Sequence, residues 1–218
     1  MSGPAFAAVL WDMDGTLIDS EPLHQDSLLH GLHAQGIAWQ DGLEQALLGR
    51  DDAGVHAYCS AHLGLKLGLA EWARLRTAYF LAHLGRLSPR AECWEIFTHL
   101  QQRGVPQAIV SNASAAMLHA NARALGLDTA QWVLVSRDDV ARGKPHPEPY
   151  LRGAERLGVQ ATRCVVVEDS APGAMAGLAA GSAVLYWPQD PHAASTPQLQ
   201  ACRSPAEAWA FFARCGWV

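Results

Sequence analysis

Five short runs along the chain are apolar at nearly every position: FAAVLW (6–11), QAIVS (107–111), WVLVS (132–136), CVVVE (164–168) and AVLYW (183–187). A strand with one wet face alternates apolar and polar side chains. These runs do not, so they predict parallel strands covered on both faces. Around the later runs the apolar positions switch to helical spacing. AECWEIFTHLQQRG (91–104) puts Trp94, Phe97 and Leu100 on one stripe. AAMLHANARALG (115–126) and PEPYLRGAERLG (147–158) also read as helices, and all three segments close on a glycine that can cap them. Strand and helix alternating at this spacing predict an α/β fold, a doubly wound, Rossmann-like parallel sheet.

One interval breaks the rhythm. From residue 19 to residue 86 the chain is rich in Leu, Ala and His without a clear strand. PLHQDSLLHGLHAQG, LEQALLG, GVHAYCSAHLG and LAEWARLRTAYFLAHLG all read as helices. The expected organisation is therefore an α/β core over 1–18 and 87–218, with a small all-helical cap domain, 19–86, inserted after the first strand. Ligands of open α/β sheets bind beyond the carboxyl ends of the strands, where such an insertion would act as a lid.

Composition narrows the partners. Half of the 218 residues are hydrophobic, 17% are charged and the net charge is −5, which describes a folded chain with no basic footprint for nucleic acid. No apolar run approaches the roughly 20 residues of a membrane helix, and the N-terminal stretch lacks the basic region of a secretory leader. The five cysteines are scattered and form no C-x-x-C pair, as suits free thiols in a reducing cytoplasm. A small molecule is the expected partner, and a monomer the default state.

The chemistry collects at the ends of the runs. The first ends at Asp12, with Asp14 and Gly15 just beyond. The second ends at Ser111 and Asn112. RGKPHPEPY brings Lys144 ahead of a helix on a proline-stiffened approach, and the fourth run ends at Glu168 and Asp169. In a parallel sheet these groups share one edge, although up to about 160 residues separate them in sequence. The chain has two lysines against fourteen arginines, so Lys144 in a proline-braced loop is not casual decoration.

The pieces DMDGT, SN, GKPHP and EDS, in that order, resemble the motifs of the haloacid dehalogenase-like hydrolases with a helical cap after the first motif, across essentially the whole chain. The resemblance implies that Asp12 is a nucleophile toward phosphorus and Asp14 a general acid and base. It implies that Ser111 and Asn112 hold phosphoryl oxygens, with Lys144 neutralising charge beside them. Mg²⁺ would be held by Asp12, the main chain of Asp14 and Asp169, with Glu168 behind. His24 and Glu21, just past the DGT segment, and Arg50 are candidates for substrate contact from the cap.

Elementary electrostatics agrees with those roles. A carboxylate attacks a phosphate dianion only if a cation and a fixed ammonium neutralise the repulsion. Mg²⁺ takes hard oxygen ligands and keeps several waters, so few protein ligands suffice. Among the chemistries of the family, a dehalogenase does not need Asp14. Lys66 is the one candidate for a phosphonate-cleaving Schiff base. A sugar phosphomutase of the β-phosphoglucomutase type keeps an arginine a few positions beyond the cap glycine to grip a second phosphate, whereas LLGRDDAG departs from that pattern, with Arg50 directly after Gly49 and acids at Asp51 and Asp52. The reading is thus a Mg²⁺-dependent phosphatase for a small phosphorylated metabolite, a sugar phosphate for preference. A phosphomutase and a non-catalytic sugar-phosphate binder are the alternatives.

Overall fold

A computed structural model of the chain describes residues 6–47, 52–189, 199 and 201–218. Its elements, in chain order, are β1 (Ala8–Trp11), β2 (Ile18–Asp19), α1 (Glu21–His33), α2 (Leu43–Leu47), α3 (Asp52–His62), α4 (Leu69–Ala82), β3 (Ser88–Pro89), α5 (Ala91–Gln102), β4 (Gln107–Val110), α6 (Ala115–Ala124), β5 (Val133–Val135), α7 (Glu148–Arg156), β6 (Cys164–Glu168), α8 (Ala171–Ala179), β7 (Ala183–Tyr186) and α9 (Pro205–Arg214). The chain divides into two compact units, Met1–Ser20 with Leu87–Val218, and Glu21–Arg86.

The first unit is built on a five-stranded parallel sheet of order β5-β4-β1-β6-β7. The unbroken apolar runs have the expected cause, because successive residues serve opposite cores. Val9, Trp11, Ile109, Val165 and Val167 join a cluster with α5 and α9 on one face. Ala8, Leu10, Ala108, Val110 and Val166 join Tyr150 and Ala154 of α7 on the other. Covering both faces in this way removes nearly all of each strand side chain from water. Trp11 brings a polar N–H into the first core, and the Gln107 side chain accepts it at 2.7 Å.

From β1 the chain winds outward through β4 and β5, then returns to β6 and β7 on the other side. The reversal puts the carboxyl ends of β4, β1 and β6 side by side, which is where an open α/β sheet forms its crevice.

One small element carries no signal in the hydrophobic pattern. Ile18 pairs with Pro89 and Asp19 with Ser88 in the antiparallel ribbon β2–β3, at the two points where the chain leaves and re-enters the first unit. Two residues are too few for any periodicity, and a proline argues locally against a strand. Both strands of the ribbon belong to the first unit.

The second unit consists of α1 to α4. Leu28, Leu32, Leu43, Leu47, Val55, Cys59, Leu65 and Trp72 form its core. The Trp72 ring lies so close to Gly31 that a Cβ there would stand 2.7 Å from it, so α1 and α4 meet at a glycine–tryptophan contact.

Candidate active site

The end of β1 sets the geometry. Asp12 donates its N–H to Val167 O at 3.0 Å, which extends the β1–β6 pairing by one residue and fixes the carboxylate at the sheet edge. The chain then turns. Gly15 adopts φ +83°, and a Cβ on it would lie 2.2 Å from Asp169 Oδ2, so both conformation and space demand glycine. The turn is held from outside by Arg90 and Gln189, whose side chains each donate to Gly15 O at 3.0 Å. Arg90 also donates to Trp187 O at 2.8 Å. Thr16 donates to Asp169 Oδ1 at 3.0 Å, tying the turn to the end of β6.

Lys144 arrives from the loop before α7. Its ammonium donates to Asp12 Oδ1 at 2.5 Å, to Glu168 Oε1 at 2.6 Å and to Val110 O at 2.9 Å. Burial by itself disfavours that charge, but Asp12 and Glu168 outweigh it and raise the lysine pKa. The loop is clamped by Asn112. Its Oδ1 accepts Lys144 N–H at 2.9 Å and its Nδ2 donates to Lys144 O at 3.2 Å. The side-chain amide expected at a phosphoryl oxygen is thus engaged with the main chain of the lysine loop.

Glu168 is fully buried and accepts four hydrogen bonds: from Lys144, from Tyr150 OH at 2.8 Å, and from the Ser170 N–H and hydroxyl at 3.1 and 2.9 Å. Helix α8 passes so near that a Cβ at Gly173 would lie 1.7 Å from Glu168 Oε1. Ser170 caps that helix by accepting Gly173 N–H. At α6 the cap is Ser114, three residues beyond Ser111.

Asp12, Glu168 and Asp169 each offer an oxygen within 4.8 Å of the others. Three carboxylates share one ammonium, so full ionisation would put two negative charges in excess of it in a poorly hydrated place. Burial and then Glu168 push the Asp12 carboxyl well above the usual carboxylate range, against Lys144. The same two causes push Asp169 up to about 7. A divalent cation would neutralise that excess, and an all-oxygen donor set is the kind a hard cation selects. The residues present fit such a metal.

Asp14 faces differently. Its carboxylate accepts from Ser111 Oγ at 3.2 Å and from Asn121 Nδ2 at 3.0 Å, and it is not part of the three-carboxylate cluster. The Gly15 turn therefore gives the two aspartates of DMD separate surroundings. A cavity of about 240 Å³ lies among Asp12, Asp14, Ser111, Asn112, Lys144 and Ser170, room for a phosphoryl group with several waters.

Seven sequence-predicted residues thus meet at one sheet edge: Asp12, Asp14, Ser111, Asn112, Lys144, Glu168 and Asp169. Glu21 and His24 lie on α1 of the second unit, with the His24 ring 4.6 Å from that of Phe80. Arg50 lies outside the described residues. Lys66 is exposed. Sequence reasoning missed Tyr150, Arg90 and Asn121. Asn121 had a readable signal, since it falls on the stripe of Leu118 and Leu125 in a helix otherwise apolar there.

Two aspartates with separate surroundings, a bridging lysine and a cluster of three carboxylates therefore meet at the switch point of a doubly wound sheet. The family model for haloacid dehalogenase-like hydrolases matches residues 6–181, and the chain belongs to that family. Hexitol phosphatase A of Escherichia coli is 30% identical to it, over 81% of this chain and 80% of its own length. The bifunctional riboflavin kinase/FMN phosphatase of Arabidopsis thaliana is 31% identical over 85% of this chain, which spans about half (49%) of the plant protein. A solved haloacid dehalogenase family hydrolase from Deinococcus radiodurans, with bound phosphate and sodium, aligns at TM-score 0.75 and 30% identity, covering 99% of this chain and 98% of its own.

Proposed function

We propose that this protein is a Mg²⁺-dependent phosphomonoesterase that removes phosphate from a small phosphorylated metabolite, a sugar or polyol phosphate for preference, through an aspartyl-phosphate on Asp12. The observation that carries the reading is the Lys144 ammonium bridging Asp12 and Glu168 within a cluster of three carboxylates, beside an aspartate held apart from them. Two relatives from Escherichia coli, hexitol phosphatase A and a fructose-1-phosphate phosphatase, support the substrate class.

In this reading an Asp12 oxygen attacks phosphorus while the ester P–O bond breaks, and a proton on Asp14 passes to the leaving oxygen. Water then attacks the acyl-phosphate, its proton goes to Asp14, and Asp12 returns as a carboxylate with release of phosphate. Lys144 keeps Asp12 oriented and offsets charge on the incoming phosphoryl group. Ser111 and Asn112 would hold phosphoryl oxygens at the cavity they both line, and the Asn112 side chain also fixes the Lys144 main chain beside it. Asp12, Asp169 and the Asp14 main chain would hold Mg²⁺, with Glu168 anchoring the lysine behind them. The metal, when bound, supplies charge neutralisation and Lewis acidity at the phosphoryl oxygens. The helices of Glu21–Arg86 act as the cap, with Glu21, His24 and Arg50 as candidate substrate contacts.

Five free cysteines, all buried, suit a reducing cytoplasm, and among the described residues no helix is long and apolar enough to cross a membrane. We take the working form to be a monomer.

Purified protein with Mg²⁺ is expected to release phosphate from members of a panel of sugar, polyol and carboxylate phosphates, ranked by kcat/KM. Stabilisation by these ligands without turnover would make it a binder. Hexose 1-phosphate isomerised in the presence of a bisphosphate, with no free phosphate, would make it a mutase. Asp12→Asn is expected to abolish turnover, because an amide cannot form the acyl-phosphate. Its thermal stability should hold or rise, since one crowded carboxylate is gone.

A further inference from the structure

Asn121 is wholly buried on α6. Its Nδ2 reaches Asp14 Oδ1 at 3.0 Å, while its Oδ1 has no hydrogen-bond partner. A buried amide with an unmade acceptor disfavours folding, so an apolar residue of like volume would serve the core better. The contact with Asp14 is what the amide gains at this position.

We propose that Asn121 is the positioning residue for Asp14 in phosphoryl transfer, holding Oδ1 so that Oδ2 stays aimed at the leaving oxygen. The inference rests on the phosphatase reading of the site. Asp14 Oδ2 accepts from Ser111 Oγ, and Ser111 lines the same cavity as Asp12 and Lys144. A serine hydroxyl has one proton to donate. A phosphoryl oxygen that takes it leaves Oδ2 without that donor at the moment Asp14 must act. Asn121 is not among the residues that line the cavity, so an entering phosphate does not compete for its amide. It keeps the carboxylate plane fixed while Oδ2 gives its proton to the leaving oxygen and later takes one from water.

The leaving group separates this role from a structural one. An alkoxide needs its proton in the transition state, whereas p-nitrophenolate leaves without one. For Asn121→Leu we expect kcat/KM to fall about 10- to 100-fold on the alkyl phosphate the wild type turns over fastest, a substantial part of what general acid catalysis supplies. On p-nitrophenyl phosphate the fall should be under about 3-fold, since that reaction draws little on the same catalysis. Thermal stability should be unchanged or raised, because an orphaned acceptor is removed. Asn121→Ser, whose hydroxyl stops short of Asp14, should show the same asymmetry should the leucine variant fold poorly. Equal losses on both substrates, or none on either, would overturn the proposal. A wild type that releases phosphate from neither substrate would instead remove the phosphatase reading, and this inference with it.

Discussion

The carboxyl edge of the sheet and the helices of Glu21–Arg86 are held together by different physics. At the edge, contacts are directional and charge-assisted. Lys144 makes three hydrogen bonds and Glu168 accepts four, all among buried or partly buried groups. In the helical unit the core is apolar, and the indole N–H of fully buried Trp72 has no partner. His30, Tyr79 and His83 stack in series at 4.5 and 4.1 Å. The Arg76–Asp52 ion pair, at 2.7 Å, has an aspartate 77% exposed, where such pairs contribute little. Directional networks fix atoms to fractions of an ångström, and apolar packing fixes mainly volume. A region that performs one chemical step needs the first.

The sharpest way to break this contrast is Lys144→Met. If the edge is held by charge, removing its one ammonium leaves Asp12, Glu168 and Asp169 facing one another unbalanced. Stability should fall by about 3–5 kcal/mol, as when one partner of a buried pair is removed. Turnover should drop by about 10³-fold, the upper range for loss of one electrostatic stabiliser. Denaturant unfolding and phosphate release measure the two effects. Lost activity with unchanged stability would mean that the carboxylates are neutralised by other means.

Trp72→Ala tests the other side. The ring fills the space over Gly31, so truncation should destabilise the helical unit by about 3–5 kcal/mol. Amide exchange should rise in α1 and α4 while the amides of β1, β4 and β6 keep their protection. A uniform rise through both regions would show one cooperative unit and erase the contrast.

The same difference explains what could be read in the sequence. Asp12, Ser111 and Glu168 were legible because each terminates an unbroken apolar run, and parallel strands bring such ends to one edge whatever lies between them. Gly15 was legible just beyond the two aspartates. Its close approach to Asp169 was not, because a contact across 154 positions leaves no local trace. Tyr150 and Arg90 escaped for a related reason. One donates to a carboxylate and the other to main-chain carbonyls, and nothing in their neighbourhoods marks the partner. Asn112 was legible at the end of its run, but its two-point clamp on the Lys144 main chain was not, since sequence places a residue without saying which atoms are already engaged. In the helical unit the segments were legible, and no role for their polar side chains was. Packing by volume accepts many side chains, so Glu21 and His24 carry no pattern that ties them to a ligand.

The smallest effect lies behind the edge, where directional contacts continue without catalysis. Asp139 accepts from the Ser136 N–H at 2.8 Å and hydroxyl at 2.6 Å, and pairs with Arg156 at 2.5 Å, linking the segment after β5 to α7. Burial works against its charge, but the Ser136 hydroxyl and Arg156 prevail and lower its pKa to about 2. Unfolded, the group titrates near about 3.9. A depressed folded value means the contribution is whole above about pH 4 and is lost as pH falls toward about 2. The side chain is 28% exposed, so the contribution is about 1 kcal/mol after allowance for solvent screening. Asp139→Asn should therefore lower stability by about that much at neutral pH, and the two unfolding curves should converge near pH 2. A gap that persists at pH 2 would trace the loss to hydrogen-bond geometry and leave charge no part in holding this end of the sheet.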